Sequence, residues 1–304
     1  MEIHFWGNRG SIPSPGPETV RYGGNTTCIE IRNGDDYILI DAGTGIRKAG
    51  EFITRERGGN QDIPLLVTHT HWDHIQGLPF FIPAFIPGNR LRIFGPHNHQ
   101  TPFDRVIADQ MQFSYFPVNF AQLRADISPR TLREGESFQI GSITVIPKYV
   151  NHPVPTLGYR FEAEGKSIVF LTDIEPYRDV LYEGVCPNED EREEFEEVQK
   201  TVAEQNQRII DFCQESDILV IDAQYTHEEY ERSYVGWGHT SMRDALHIGK
   251  KSQSKVVAFC HHDPNRTDDE LDRLIGEHAE NLGKESGHSI QHLLGATERE
   301  TIKA

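Results

Sequence analysis

Cysteine is scarce. Cys28, Cys186, Cys213 and Cys260 are the only four in 304 residues, and no two stand at a paired spacing. That argues against a disulfide framework and against a cysteine-built zinc site, and it predicts reduced thiols in a cytoplasmic protein. No apolar run approaches the ~20 residues a membrane helix needs. The opening segment, Met1 to Trp6, alternates like a strand and has no basic stretch leading into an apolar one, so no secretory signal is expected. Basic charge is also short: 30 Lys and Arg face 47 Asp and Glu, a formal net charge of −17. A protein that grips a long polyanion normally presents a basic face, which makes nucleic acid an unfavoured partner and leaves a small anion held by bound cations compatible. There is no internal repeat and no low-complexity linker. With 37% hydrophobic and 25% charged residues the composition is that of a globular chain, and one domain over 1–304 is the economical reading.

What the chain has in quantity is histidine, 15 in all, and four metal-ligand side chains fall together in Leu65-Leu66-Val67-Thr68-His69-Thr70-His71-Trp72-Asp73-His74. Leu65 to Val67 read as a buried strand, and the polar residues begin where such a strand leaves its sheet. His69 and His71, two apart on an extended chain, point to the same side and can share one cation. Asp73 and His74 come as the chain turns and can reach a second. A structural zinc site usually uses cysteine and closes the metal with four protein ligands. This cluster is free of cysteine and contains a carboxylate, as hydrolytic sites do.

The cluster resembles the signature of the metallo-β-lactamase superfamily, and three further strand-like segments carry the resemblance across most of the chain. His152 follows Ser142 to Asn151, Asp173 ends Ser167 to Asp173, and His261 ends Lys255 to His261. The resemblance implies an α/β fold, a four-layer αββα sandwich of two mixed β-sheets flanked by helices. It implies two divalent metal ions, Zn2+ first and Mn2+ next. His69, His71 and His152 would hold one, Asp73, His74 and His261 the other, and Asp173 would bridge them. His262 stands beside His261 as an alternative ligand. The resemblance also makes Asp41, at the end of the strand Tyr37 to Ile40, a candidate to hydrogen-bond a ligand histidine. As a residue just before a helix running to about Arg57, it is equally a candidate helix cap.

Asp222, in Asp222-Ala223-Gln224-Tyr225, and His239, in Gly238-His239-Thr240-Ser241, resemble the phosphodiesterase branch of the superfamily, which includes tRNase Z and cyclic-nucleotide phosphodiesterases. There the acidic residue orients the histidine, and the histidine gives a proton to the leaving group. Asp73 joins His239 and Asp222 in the catalytic set that the resemblance implies. The gap from His152 to Asp173 is short and filled by two apparent strands, leaving no room for the RNA-binding arm of tRNase Z. An insertion is expected instead at about 176–214, where nine acidic residues face two basic ones between 183 and 204 and Phe195, Val198, Val202, Ile209 and Cys213 recur at helical spacing.

Three other stretches carry weaker signals. Arg21 and the amides of Gly23-Gly24-Asn25 are as consistent with a phosphate cradle as with a shaped loop. The apolar run Gly77 to Phe85 reads first as core packing and second as a candidate wall for a base or sugar. Arg266 is a candidate phosphate ligand or a surface ion pair. The expectation is a hydrolase of a small cyclic phosphodiester, a 3′,5′-cyclic nucleotide, yielding a nucleoside monophosphate, with a homodimer by resemblance. The alternatives are a tRNase Z-like endoribonuclease, a phosphoribosyl cyclic phosphate phosphodiesterase, and a non-catalytic nucleotide-binding protein. The last would require a broken metal set, and every ligand position is filled.

Overall fold

The computed structural model describes residues 1–98, 101–186 and 188–304. In chain order the strands are β1 (Glu2–Gly7), β2 (Cys28–Asn33), β3 (Asp36–Ile40), β4 (Asp62–Leu66), β5 (Arg90–Pro96), β6 (Asp126–Leu132) and β7 (Phe138–Ile140). Then come β8 (Ile143–Val150), β9 (Thr156–Ala163), β10 (Lys166–Leu171), β11 (Ile218–Asp222), β12 (Val256–Cys260), β13 (His292–Gly295) and β14 (Thr301–Lys303). They make two seven-stranded sheets, ordered β14-β1-β2-β3-β4-β5-β6 and β13-β12-β11-β10-β9-β8-β7. Each sheet is antiparallel in one half and parallel in the other, the antiparallel half coming first in the order of the first sheet and last in that of the second. The change falls at β3 in one sheet and at β10 in the other.

The apolar patterning explains why these sheets stack. In β10, Ile168 and Phe170 enter the core between the two sheets, whereas Val169 and Leu171 enter a second core on the outside. Leu66 likewise points inward, and Leu65 and Val67 point outward. A strand apolar at successive positions is buried on both faces and needs a layer on each side. Helix α1 (Ile46–Arg57) covers the first sheet with Ile46, Ala49 and Ile53. Helices α2 (Arg192–Phe212), α3 (Met242–Lys251) and α4 (Asp268–Leu282) cover the second, through Ile209, Met242, Leu246, Leu271 and Leu274 among others. The result is the four-layer αββα sandwich of two mixed sheets that the sequence resemblance implies.

Local signals account for the helix ends. Thr267 and Glu270 form the expected capping box of α4, and the Ser241 hydroxyl accepts the Asp244 N–H at the start of α3. Helix α1 opens on Gly45 without a side-chain cap, so Asp41 is not its cap. Within the acidic stretch the helix occupies only 192–212, and the described residues from 176 to 191 carry neither helix nor strand. Between His152 and Asp173 stand only β9, β10 and the tight turn at Glu164-Gly165, as expected.

The two sheets are tied together at one end. The Tyr159 hydroxyl on β9 donates to the Val67 carbonyl at 2.9 Å, and the Leu157 N–H donates to the Thr68 carbonyl at 2.9 Å. Both acceptors lie immediately before the histidine cluster, so the inter-sheet core sets how the cluster's loop faces the second sheet. Phe161, fully buried between the sheets, is part of that core. Phe161→Ala should cost about 3–5 kcal/mol, read as a lower urea midpoint with little change in the slope of the transition.

Candidate metal centre

The site lies at the carboxyl-terminal ends of β3, β4, β8, β10, β11 and β12. Three of its residues, Asp41 (φ 61°), Asp173 (φ 49°) and His261 (φ 56°), take the left-handed backbone conformation as they leave their strands. For residues other than glycine this region is costly, and it turns each side chain sharply off the strand direction into the space between the sheets.

There the side chains separate into two sets that share one carboxylate. His69, His71, His152 and Asp173 form the first, and Asp73, His74, His261 and Asp173 the second, with one donor atom from each residue within 4.8 Å of the others in its set. Asp173 divides its oxygens between them. Oδ2 lies 3.5 Å from His69 Nε2 and 4.0 Å from His152 Nε2, while Oδ1 lies 3.0 Å from His74 Nε2 and 3.3 Å from His261 Nε2. Asp73 Oδ2 is 3.2 Å from both His74 Nε2 and His261 Nε2. The structure thus brings His261 into the cluster. It directs His262 away, its Nε2 donating to the Ala296 carbonyl at 2.9 Å.

The donor set fits divalent cations. His69 Nε2 is buried with no hydrogen-bond partner, an arrangement that costs about 1–3 kcal/mol unless something else satisfies it. His152 Nε2 and His71 Nδ1 face each other at 3.1 Å across the first set. Burial holds the His69 imidazole well below its usual pKa and brings His152 down to about 4, so both rings are neutral ligands at physiological pH. Burial works to raise the Asp73 and Asp173 carboxyls. The surrounding histidines, His74 and His261 foremost, outweigh it and hold both below the carboxylate range. His74 differs: burial opposes its protonation, but Asp173, Asp73 and Asp41 prevail and hold its imidazole well above the usual pKa, a proton that a bound cation would displace. Imidazoles and carboxylates converging on two centres are the donors that divalent ions such as zinc take.

The far sides of His69, His74, His152 and His261 are tied down. His74 Nδ1 donates to Asp41 Oδ2 at 2.8 Å, and the Thr68 hydroxyl, 3.1 Å from His69 Nδ1, donates to the same Asp41 oxygen at 2.9 Å. One buried carboxylate therefore orients a histidine in each set. His261 Nδ1 donates to Gln224 Oε1 at 3.0 Å, and His152 Nδ1 donates to the Gly238 carbonyl at 2.9 Å. The Ser11 N–H donates to Asp73 Oδ2 at 2.8 Å. Gln224, Ser11 and Gly238 were not singled out by sequence reasoning. Each acts through one hydrogen bond from a distant part of the chain, and no local spacing marks it.

His239 stands at the edge of the second set, its ring stacked on His261 with centroids 4.8 Å apart. Its Nδ1 donates to Asp222 Oδ2 at 2.8 Å, the pairing the sequence resemblance implies. Burial of the ring opposes its protonation, but Asp222, helped by Asp173 and Asp73, prevails and pushes its pKa up to about 9. His239, Ser11, Thr70, His71, Trp72, Asp73 and Asp173 line a cleft of about 380 Å³.

Three weaker signals resolve to their structural alternatives. The Asn25 N–H donates to Glu298 Oε1, and Arg21 pairs with Asp269 at 2.6 Å and Asp272 at 2.7 Å, so the glycine-rich loop closes on carboxylates from the far end of the chain. Arg266 pairs with Glu229 at 2.6 Å. No residue from Gly77 to Phe85 lines the cleft, and its aromatic wall is instead Trp72, 82% exposed. A larger groove of about 820 Å³ lies elsewhere, but there Asp217 already pairs with Lys255 and Lys166. Removing the shared carboxylate should loosen both sets: Asp41→Ala is expected to weaken metal affinity about 10–100-fold by competition against a chromogenic chelator.

Comparison with known proteins agrees with this architecture. The family described as the beta-lactamase superfamily domain matches residues 36–187. Ribonuclease Z of Pyrococcus horikoshii is 25% identical over 290 residues, covering 87% of each chain. Among solved structures, the metallo-β-lactamase fold protein YhfI from Bacillus subtilis superposes with a TM-score of 0.66 at 15% identity, covering 99% of both chains. Yeast PDE1 superposes at 0.61 with 18% identity, covering 99% of this chain and 98% of its own. With half its length matched by the family and its full length sharing the fold, the chain belongs to the metallo-β-lactamase superfamily and is a metal-dependent hydrolase.

Proposed function

We propose that this hydrolase of phosphodiester bonds acts on a small cyclic phosphodiester, a 3′,5′-cyclic nucleotide, and releases a nucleoside monophosphate. The observation that carries the reading is the Asp222–His239 pair, 2.8 Å apart and opening onto the same cleft as both ligand sets. His69, His71, His152 and Asp173 would hold one zinc ion, and Asp73, His74, His261 and Asp173 the other. When bound, such a pair supplies a hydroxide at neutral pH and neutralises phosphate oxygens.

The chain's own groups supply the rest. Opening the ring breaks a P–O bond and leaves an alkoxide, too basic to depart unprotonated. His239, its Nδ1 committed to Asp222, carries the proton on Nε2 and delivers it to that oxygen. Asp222 keeps the ring in this orientation and stabilises its charged form. Asp73 and Asp173, held ionised, add to the field that keeps His239 protonated. Trp72 presents an exposed indole beside the cleft, a surface on which a base can stack.

A small substrate is supported by the cleft volume, by the net charge of −17, and by the tight β9–β10 turn where an RNA-binding arm would have to emerge. A second reading, a tRNase Z-like endoribonuclease, is favoured by the likeness to ribonuclease Z over 87% of the chain. The two separate on a substrate panel. Zinc-loaded protein is expected to open cyclic mononucleotides and to leave precursor tRNA intact. Cleavage of the tRNA alone, with binding that weakens steeply with salt, would establish the second. His239→Ala should retain both metals by elemental analysis and lose about 10²–10⁴-fold in kcat. Trp72→Ala should raise KM for a cyclic nucleotide about tenfold, the loss of one stacked base at ~1–3 kcal/mol, and leave KM for a base-free diester unchanged.

A further inference from the structure

The turn that leads into His239 has little packing to hold it. It follows an irregular helical turn at Tyr230–Tyr234, and Val235, Gly236 and Trp237 are exposed, Trp237 at 61%. Gly236 and Gly238 both lie in the left-handed region, at φ 86° and 87°, outside any strand pairing. One side chain accepts both of their amides. Glu175, two residues beyond Asp173 and 6% exposed, accepts the Gly236 N–H at 2.7 Å and the Tyr230 hydroxyl at 2.7 Å through Oε1, and the Gly238 N–H at 2.8 Å through Oε2. Its own N–H donates to the Asn151 carbonyl at 2.9 Å, next to His152. The Thr240 hydroxyl donates to the Ile174 carbonyl, and the Gly238 carbonyl receives His152 Nδ1.

We propose that Glu175 is the positioning residue for proton delivery: its carboxylate pins the Gly236–His239 segment to the strand end that bears Asp173, and so sets where His239 stands relative to the bond being broken. The buried carboxylate gathers two backbone amides that no other group accepts, and charged acceptors make the stronger hydrogen bonds. A methyl group at Gly238 would lie 2.2 Å from His152 Nδ1 and 2.4 Å from Pro153 Cδ, so the loop passes against the first ligand set with no room for a side chain. Without Glu175, three donors lose their partner, and the exposed part of the segment is free to swing away to water. Of the ligand histidines, His69, His74 and His261 are tied to Thr68, Asp41 and Gln224, outside the segment, and stay where they are, while His152 loses the Gly238 carbonyl that its Nδ1 bonds and keeps its place just past β8, facing Asp173 and His71. Glu175 therefore acts on protonation of the leaving group, a role that rests on the reading of His239 as the proton donor.

The test compares two diesters that differ only in how much their leaving group needs a proton: bis(4-nitrophenyl) phosphate, whose phenolate leaves readily, and diphenyl phosphate, whose phenolate is more basic. In zinc-loaded full-length protein, Glu175→Ala should lower kcat on diphenyl phosphate about 10–100-fold, the scale of a misplaced catalytic group. On bis(4-nitrophenyl) phosphate the loss should be about threefold or less by the same reasoning, with KM and zinc content unchanged. Glu175→Gln, which keeps the volume and one accepting oxygen, should show the same asymmetry at smaller size, and it carries the comparison if the alanine variant does not fold. Equal losses on both substrates, or loss of zinc, in a folded Glu175 variant would overturn the proposal while an asymmetric His239→Ala leaves the proton donor in place. Equal losses in His239→Ala would remove the donor itself and the role of Glu175 with it.

Discussion

Asp173 is the point at which the structure's conflicting demands meet. It is buried, it sits in the left-handed backbone region at φ 49°, and its two oxygens face four imidazoles from two directions. A buried carboxylate without compensation is one of the more expensive groups a protein can contain. Here the cost is met by placing Asp173 where cations belong on both sides. The same logic covers Asp73 and the unpartnered Nε2 of His69. Two divalent cations would turn this polar, charged core into a set of satisfied ligands.

Such a centre needs rigid supports on both sheets, because each ligand set draws from both. His69 and His71 follow β4 while His152 follows β8. Asp73 and His74 lie just past β4, whereas His261 follows β12. A displacement of one sheet against the other would open both sets together. The tie from Tyr159 to Val67 and from Leu157 to Thr68 lies one or two residues from His69, and Asp41 reaches from the end of β3 to Thr68 and His74. Packing between the sheets and hydrogen bonding at their ends are therefore two parts of one device.

How much of this could be read from the sequence depends on whether a residue's partners are near it in the chain. His69, His71, Asp73 and His74 announce themselves by spacing, and the apolar run before them gives away the strand end. His152, Asp173 and His261 are each ordinary alone. They became legible only because each ends a strand-like segment in an order that resembles a known family. Asp41 stood between two roles until the structure placed the start of α1 at Gly45 and its carboxylate on His74. Gln224, Ser11 and Glu175 left no trace, since their partners lie far off in sequence. The glycine-rich loop misled for the same reason: Glu298, Asp269 and Asp272, which occupy its donors, are remote until the chain is folded. The apolar wall was displaced from Phe80 and its neighbours to Trp72 because the short helix at Trp72–Ile75 turns the indole outward beside Asp73.

The electrostatics of the surface point the same way as the cleft. With 47 acidic residues against 30 basic ones, and an acidic first turn on α2, the molecule as a whole repels an approaching anion. Arg21 and Arg266, the two arginines the sequence offers for a phosphate, are spent on Asp269, Asp272 and Glu229. For the ester proposed above, positive charge is offered where His239 and the metal-binding sets converge. Attraction of that kind is short in reach, decaying over about 8–10 Å at physiological salt. That reach suits the compact ester proposed above, whose single phosphate would sit within the cleft.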